Sequence, residues 1–167
     1  MILKTITTPN PILRKKTKPV GKITKTVKKL VDDMLQTMES QNGWGIAAPQ
    51  VGHSLRVAIV ADVKYIDEKE YSLTPIVLIN PVIEKLSKET IVQEEGCLSV
   101  PGMFGDVTRP KKVWLKAKDI KGKPFKLEAD DVLARSIQHE LDHLDGILFT
   151  DRVNLKTLHH NGIKKHK

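Results

Sequence analysis

One stretch, Gln138-His139-Glu140-Leu141-Asp142-His143, restricts this chain more than any other. Around it Leu133, Ile137, Leu141 and Leu144 recur at spacings of four, four and three residues, the period of a helix with one buried stripe. Asp130 or Asp131 can cap the start of that helix, and Gly146 follows its end. On such a helix His139 and His143 lie one turn apart on the same face, close enough to grip one metal ion, with Glu140 at the edge of that face. That is the geometry of a metal-activated hydrolytic site. A core helix carrying two solvated histidines would have the same letters, so the rest of the chain must decide.

A chain of 167 residues fits one domain, 1–167, long enough to bury a core without disulfides. Leu, Ile and Val supply that core in place of the few aromatics. No apolar run approaches the length of a bilayer-spanning helix, and Met1 to Pro11 lacks the pattern of a signal peptide, so no membrane partner is expected. The lone cysteine, Cys97, excludes an internal disulfide and suits a reducing cytoplasm. A lone cysteine can still be a ligand or a nucleophile. The net charge of +8, with lysines crowding both ends, favours polyanionic company. No zinc-finger spacing, aromatic stacking set or dimeric basic helix accompanies it, so sequence-specific nucleic-acid binding is not expected.

From Met1 to Gly21 the prolines Pro9, Pro11 and Pro19 discourage a long helix and predict an irregular or extended surface wrap. From about Thr24 to Ser40, Val27, Leu30, Val31, Met34, Leu35 and Met38 fall at helical spacing and predict an amphipathic helix, with the methionines as core filler. A small-residue stretch, Gly43-Trp44-Gly45-Ile46-Ala47-Ala48-Pro49-Gln50, allows close approach to the backbone and holds one polar side chain, Gln50, in apolar company. Arg56 to Ala61, Ile76 to Asn80 and Glu89 to Gln93 read as strands, with a charged excursion through Asp67 to Tyr71 between the first two. Pro101-Gly102 reads as a turn, and Lys111 to Asp119 with Phe125 to Ala129 as a hairpin closed by Lys121-Gly122-Lys123. His53, His159, His160 and His166 have no matching partners and are expected to be solvated.

Three blocks stand in order: Gly43 to Gln50, then Glu95-Gly96-Cys97-Leu98-Ser99, then Gln138 to His143. Together they closely resemble the signature motifs of the peptide deformylases, which remove the formyl group from the starting methionine of nascent proteins. Asn10-Pro11-Ile12-Leu13-Arg14, Arg109-Pro110 and Asp145-Gly146 extend the likeness over most of the chain.

The resemblance implies an α+β fold, with small antiparallel or mixed sheets packed around a C-terminal metal-binding helix and the N-terminal amphipathic helix beside them. It implies Cys97, His139 and His143 as ligands of one divalent ion per chain, Fe2+ in the native state with Zn2+, Ni2+ or Co2+ able to substitute. Such an ion lowers the pKa of bound water and polarises the formyl oxygen. It implies Glu140 as the group that takes the water's proton and hands it to the departing amine. The Gln50 amide and the Leu98 backbone N–H would stabilise the developing oxyanion. The N-formylmethionyl peptide would lie extended beside Trp44, Gly45, Ile46 and Gly96, its methionine side chain near Gly43, Trp44, Val132 and His139.

Trp44 departs from the aliphatic or small residue commoner in the family, which leaves the preferred first side chain open. Asp142 is predicted to form an ion pair, with Arg109 as its candidate partner. Weak association with ribosomes through the basic termini is expected from the charge and the substrate class together. The competing reading is a general metallopeptidase of the His-Glu-x-x-His type, with a downstream histidine such as His159 replacing Cys97.

Overall fold

The computed structural model describes residues 1–65 and 71–160. Most of the predicted excursion over Asp67 to Tyr71 therefore lies outside the described residues, as do His166 and the basic tail from 161 onward. Along the described chain run α1 (Lys25–Ser40), β1 (Gly45–Ala47), β2 (Val57–Tyr65), β3 (Tyr71–Leu86), β4 (Thr90–Cys97) and β5 (Val100–Pro110). They are followed by β6 (Lys112–Lys118), β7 (Pro124–Asp130), α2 (Asp131–Leu144) and β8 (His159–His160). The strands form a five-stranded sheet in the order β1-β2-β3-β6-β7 and a three-stranded sheet in the order β4-β5-β8. Every pairing between these strands is antiparallel, so the expected α+β architecture holds.

The five-stranded sheet is covered by a helix on each face, and β2 shows why. Its side chains alternate with period two, so Val57 and Ile59 pack with α1 while Ala58 and Val60 pack with α2. Helix α1 presents the buried stripe Val27, Leu30, Val31, Met34 and Met38, each contributing roughly 1.5–3 kcal/mol of apolar burial. Thr24 caps its start by accepting from the Val27 N–H at 3.4 Å. Helix α2 buries Ala134, Ile137, Leu141 and Leu144 against the opposite face.

Asp130 does stand at the α2 N-cap position, but its side chain makes no cap bond. The C-terminal end of α2 is closed by the N-terminal wrap: Thr17 donates to the Leu144 carbonyl through both its N–H (2.8 Å) and its hydroxyl (2.9 Å). Gly146 adopts φ +75°, and a Cβ there would fall 2.6 Å from the Arg14 carbonyl oxygen, so the wrap requires glycine at this point. The three-stranded sheet sits across α2 from the five-stranded one, over a separate cluster of Leu13, Val100, Val107, Leu148, Phe149 and Val153. Helix α2 thus runs between the two sheets, and its polar residues are the ones that meet β4 and β5.

Candidate metal centre

Each element delivers one piece of the site. Strand β1 ends in a single 3-10 turn, Ala48–Val51, which turns the Gln50 side chain back on the chain. Its Oε1 accepts from the Ala47 N–H at 2.7 Å, so the amide is pinned at one end and its Nε2 points toward Cys97 Sγ at 3.7 Å. Cys97 closes β4 just before the Leu98-Ser99 turn, and the Ser99 N–H also donates to Sγ, at 3.4 Å. Helix α2 brings His143 Nε2 to 3.2 Å from that sulfur. The ligand atoms of Cys97, His139 and His143 all lie within 4.8 Å of one another. The two imidazoles meet edge to face, with centroids 5.1 Å apart.

Beside them opens a cavity of about 610 Å³, lined among others by Gly43, Trp44, Gly45, Gln50, Gly96, Cys97, Leu98, Val132, His139 and Glu140. Thus the residues expected at the site converge, with one correction. Ile46 is fully buried in the α1 cluster and does not line the cavity, because its side chain faces α1 while that of the next residue, Ala47, is buried on the opposite, α2 face. The β1 backbone is nevertheless available. The Ala61 N–H bonds the Trp44 carbonyl, so by antiparallel alternation the 46–59 pair also faces β2, and the Gly45 N–H and C=O point out from the free edge.

Glu140 is 4% exposed and packs directly against Gly45: a Cβ on Gly45 would lie 2.8 Å from the Glu140 Cδ and Cγ. Burial pushes its carboxyl up to about 7, against the opposing charges of His139 and Arg109. Glu140 Oε2 is buried without a hydrogen-bond partner. An acceptor left this way is costly unless something in the cavity meets it. For His139, burial opposes the charge, but its contacts with Cys97 and Glu95 outweigh this and raise it to about 10. His143 goes the other way, held well below its usual value by burial and by the neighbouring His139 and Arg109 charges. Without an ion, one imidazole of the pair therefore holds a proton that coordination must displace. One sulfur and two ring nitrogens converging beside an unpartnered carboxylate oxygen fit a divalent ion with an open position.

Sequence reasoning missed what holds these ligands. Glu95 is buried and accepts from His139 Nδ1 (3.0 Å), Arg109 Nε (2.6 Å), Arg109 Nη2 (2.9 Å) and Arg135 Nη1 (2.6 Å). Burial alone would raise its carboxyl, but the Arg109 and His139 bonds win and hold it far below the usual range. Arg109 also donates to Asp142 Oδ2 at 2.8 Å, the pairing predicted for Asp142, and Arg152 completes it at 2.6 and 2.7 Å. Arg135 further bonds the Val107 and Ile91 carbonyls, tying α2 to β5 and β4. One signal was available: a histidine that ligates a metal through one nitrogen needs a partner for the other, and Glu95 lies two residues from Cys97.

The histidine expectations need a second correction. His159 is not solvated. It is 7% exposed, with Nδ1 2.9 Å from the Thr157 carbonyl and Nε2 3.5 Å from Glu94. It stays outside the Cys97, His139, His143 group, as a peptidase with a downstream third histidine would not allow. No helix among the described residues is long and apolar enough to cross a membrane.

Comparison with known proteins points one way. The family described as polypeptide deformylase matches residues 2–159. Peptide deformylase 2 of Gloeobacter violaceus is 49% identical over 142 residues, 85% of this chain and 74% of that one. The peptide deformylase of Dictyoglomus thermophilum is 48% identical over 149 residues, 89% and 91% of the two chains. Among solved structures, Met-Ala-Ser-bound class I type b peptide deformylase from Acinetobacter baumannii superposes with a TM-score of 0.85 at 36% identity, over 92% of this chain and 99% of that one.

Proposed function

The chain belongs to the polypeptide deformylase family, and we propose that its residues 1–167 form one catalytic domain in which Cys97, His139 and His143 hold the ion and Glu140 moves the proton. It is a metal-dependent hydrolase that removes the N-formyl group from nascent peptides. The observation that carries the residue assignment is the convergence of three ligand atoms within 4.8 Å beside the unpartnered Glu140 Oε2. The ion, when bound, supplies Lewis acidity toward the formyl oxygen and activates the hydrolytic water.

The remaining work falls to the chain. Glu140, poised near neutrality by burial, takes a proton from the attacking water and returns it to the amine that leaves. Gln50, its Oε1 already engaged by Ala47, has only N–H groups left to offer a developing oxyanion, and the Leu98 N–H in the turn after Cys97 is its companion. Peptide lies along the outward N–H and C=O of Gly45, which adds it to the β1 edge through backbone groups that every peptide carries. The Acinetobacter baumannii relative is known with Met-Ala-Ser bound, which supports a peptide of this kind in the cavity. Its methionine side chain is assigned to the wall of Gly43, Trp44, Val132 and His139.

Fe2+ is the proposed resident ion, with Zn2+, Ni2+ or Co2+ as substitutes, because a thiolate with two imidazoles suits several first-row metals. We place the protein in the cytoplasm, acting on N-formylmethionyl chains, with weak ribosome association through its basic termini. Salt-insensitive failure to co-sediment with ribosomes counts against that last point. The central test is formate release from a formyl-Met tripeptide by protein purified anaerobically with Fe2+, compared with Glu140→Ala. Cleavage of an internal peptide bond with the formyl group retained would overturn the assignment in favour of a metallopeptidase.

A further inference from the structure

One aromatic side chain at the cavity is used neither by the chemistry nor by the core. Phe104 of β5 is 37% exposed and lines the cavity. It faces Gly96 of β4 in the strand register, and a Cβ on Gly96 would lie 2.6 Å from its Cε1, so the ring lies directly over the Gly96 backbone. On its other side Phe104 pairs with His159 of β8, whose buried ring stacks on it at a centroid distance of 6.1 Å and an angle of 27°. His159 is in turn held by the Thr157 carbonyl and Glu94. Phe104 is thus a fixed apolar plate with one open face, built from three strands.

Alternation says which part of a substrate meets it. Glu95 and Arg109 point from β4 and β5 toward α2, where they bond His139 and Asp142. Gly96 and Phe104, one residue out of phase with them, belong to the opposite face. Strands β1 and β4 are each the edge of their sheet, and both reach the cavity, through Gly45 and Gly96. A peptide laid between those edges turns successive side chains to opposite faces. With the methionine side chain against α2, the next one is directed to Phe104. We propose that Phe104 is a specificity determinant that favours a bulky apolar or aromatic side chain at the residue following formylmethionine. This rests on the deformylase reading above and deepens it.

The test uses the iron-loaded enzyme and formyl-Met-Xaa-Ser peptides with Xaa Phe, Leu, Ala, Asp or Lys, reading kcat and KM from formate release. The Phe and Leu peptides should exceed the Asp peptide roughly tenfold in kcat/KM, chiefly through KM, as expected for partial apolar burial. Phe104→Ala should flatten that ratio, and Phe104→Lys should reverse it toward Asp. Equal kcat/KM across the series, or a ratio unmoved in both variants, overturns the inference while leaving the deformylase assignment standing. A preference for Lys would transfer the role to the Glu94 carboxylate and overturn it equally. No formate from any peptide would sink the deformylase reading and this inference with it.

Discussion

Glu140, the proposed proton carrier, shows what a buried carboxylate costs its own fold. With its carboxyl raised from 4.5 to about 7, the folded metal-free protein binds a proton that the unfolded chain has already lost. The sign follows: below about pH 4.5 the group is protonated in both states and costs nothing, and the penalty grows as pH rises to about 7. In chelated protein, Glu140→Gln should therefore raise stability by under about 1 kcal/mol at pH 5 and by on the order of 3 kcal/mol at pH 8. Urea unfolding at the two pH values checks this, and an equal gain at both would refute it. Gly45 is the complementary case. A Cβ there collides with the Glu140 carboxylate, so Gly45→Ala should lower kcat on the order of a hundredfold by displacing the proton carrier. Metal content by elemental analysis should stay at one ion per chain; activity within twofold of the parent would show that Glu140 can relocate freely.

At the scale of elements, the site hangs on a buried ion-pair network that joins α2 to β4 and β5. Removing Glu95 leaves Arg109 and Arg135 short of a counter-charge and His139 short of its orienting partner. Glu95→Gln should cost about 3–5 kcal/mol and weaken ion binding roughly 10–100-fold. Asp142→Asn, which leaves the buried Arg109 its two bonds to Glu95 and whose other partner Arg152 is more exposed, should cost less, about 1–2 kcal/mol. Denaturant midpoints and a competitive metal titration measure both, and a Glu95→Gln protein with parental ion affinity would remove Glu95 from its role.

Elements with a clean period were legible in the sequence: α1, α2 and the β6–β7 hairpin follow their apolar spacing. Of the three-stranded sheet only the first part of β4 was, as the strand expected over Glu89 to Gln93. Strand β5 carries Pro101, Gly102, Gly105 and Pro110, which read as punctuation, yet it pairs along most of its length with a shift between Gly96 and Cys97. Strand β3 runs through Pro75 and Pro81 to reach Leu86, well beyond the apolar stretch that announced it. Its pairing with β6 absorbs Pro81 in a register shift between Ile79 and Val82. His159 gave no signal at all, because its burial depends on Phe104 and Glu94 being brought beside it by pairings that local pattern does not encode. The proposed ligands were legible only as spaced letters, since nothing in local pattern brings Cys97 to within reach of two histidines more than forty residues later.

Across the whole molecule, the proposed ligand set would make the ion a cross-link. Cys97 belongs to the three-stranded sheet, whereas His139 and His143 stand on the helix that packs its apolar face on the five-stranded sheet. An ion held by all three binds the folded arrangement and not the unfolded chain, so it should stabilise by about 2.7 kcal/mol at a free concentration of one hundred Kd. For a chain of this length that is a rise in Tm of roughly 5–10 °C. Chelation should reverse the rise and re-addition of Fe2+ restore it. Coordination must also strip the proton that His139 holds when metal-free, so the gap between loaded and chelated protein should widen as pH is raised from about 6 toward 9. Hydrogen exchange should place the lost protection in β4, the turn after it and the last two turns of α2, with α1 and its cluster unaffected. A Tm indifferent to chelator, or a loss spread evenly over both sheets, would mean that the two halves hold together without the ion.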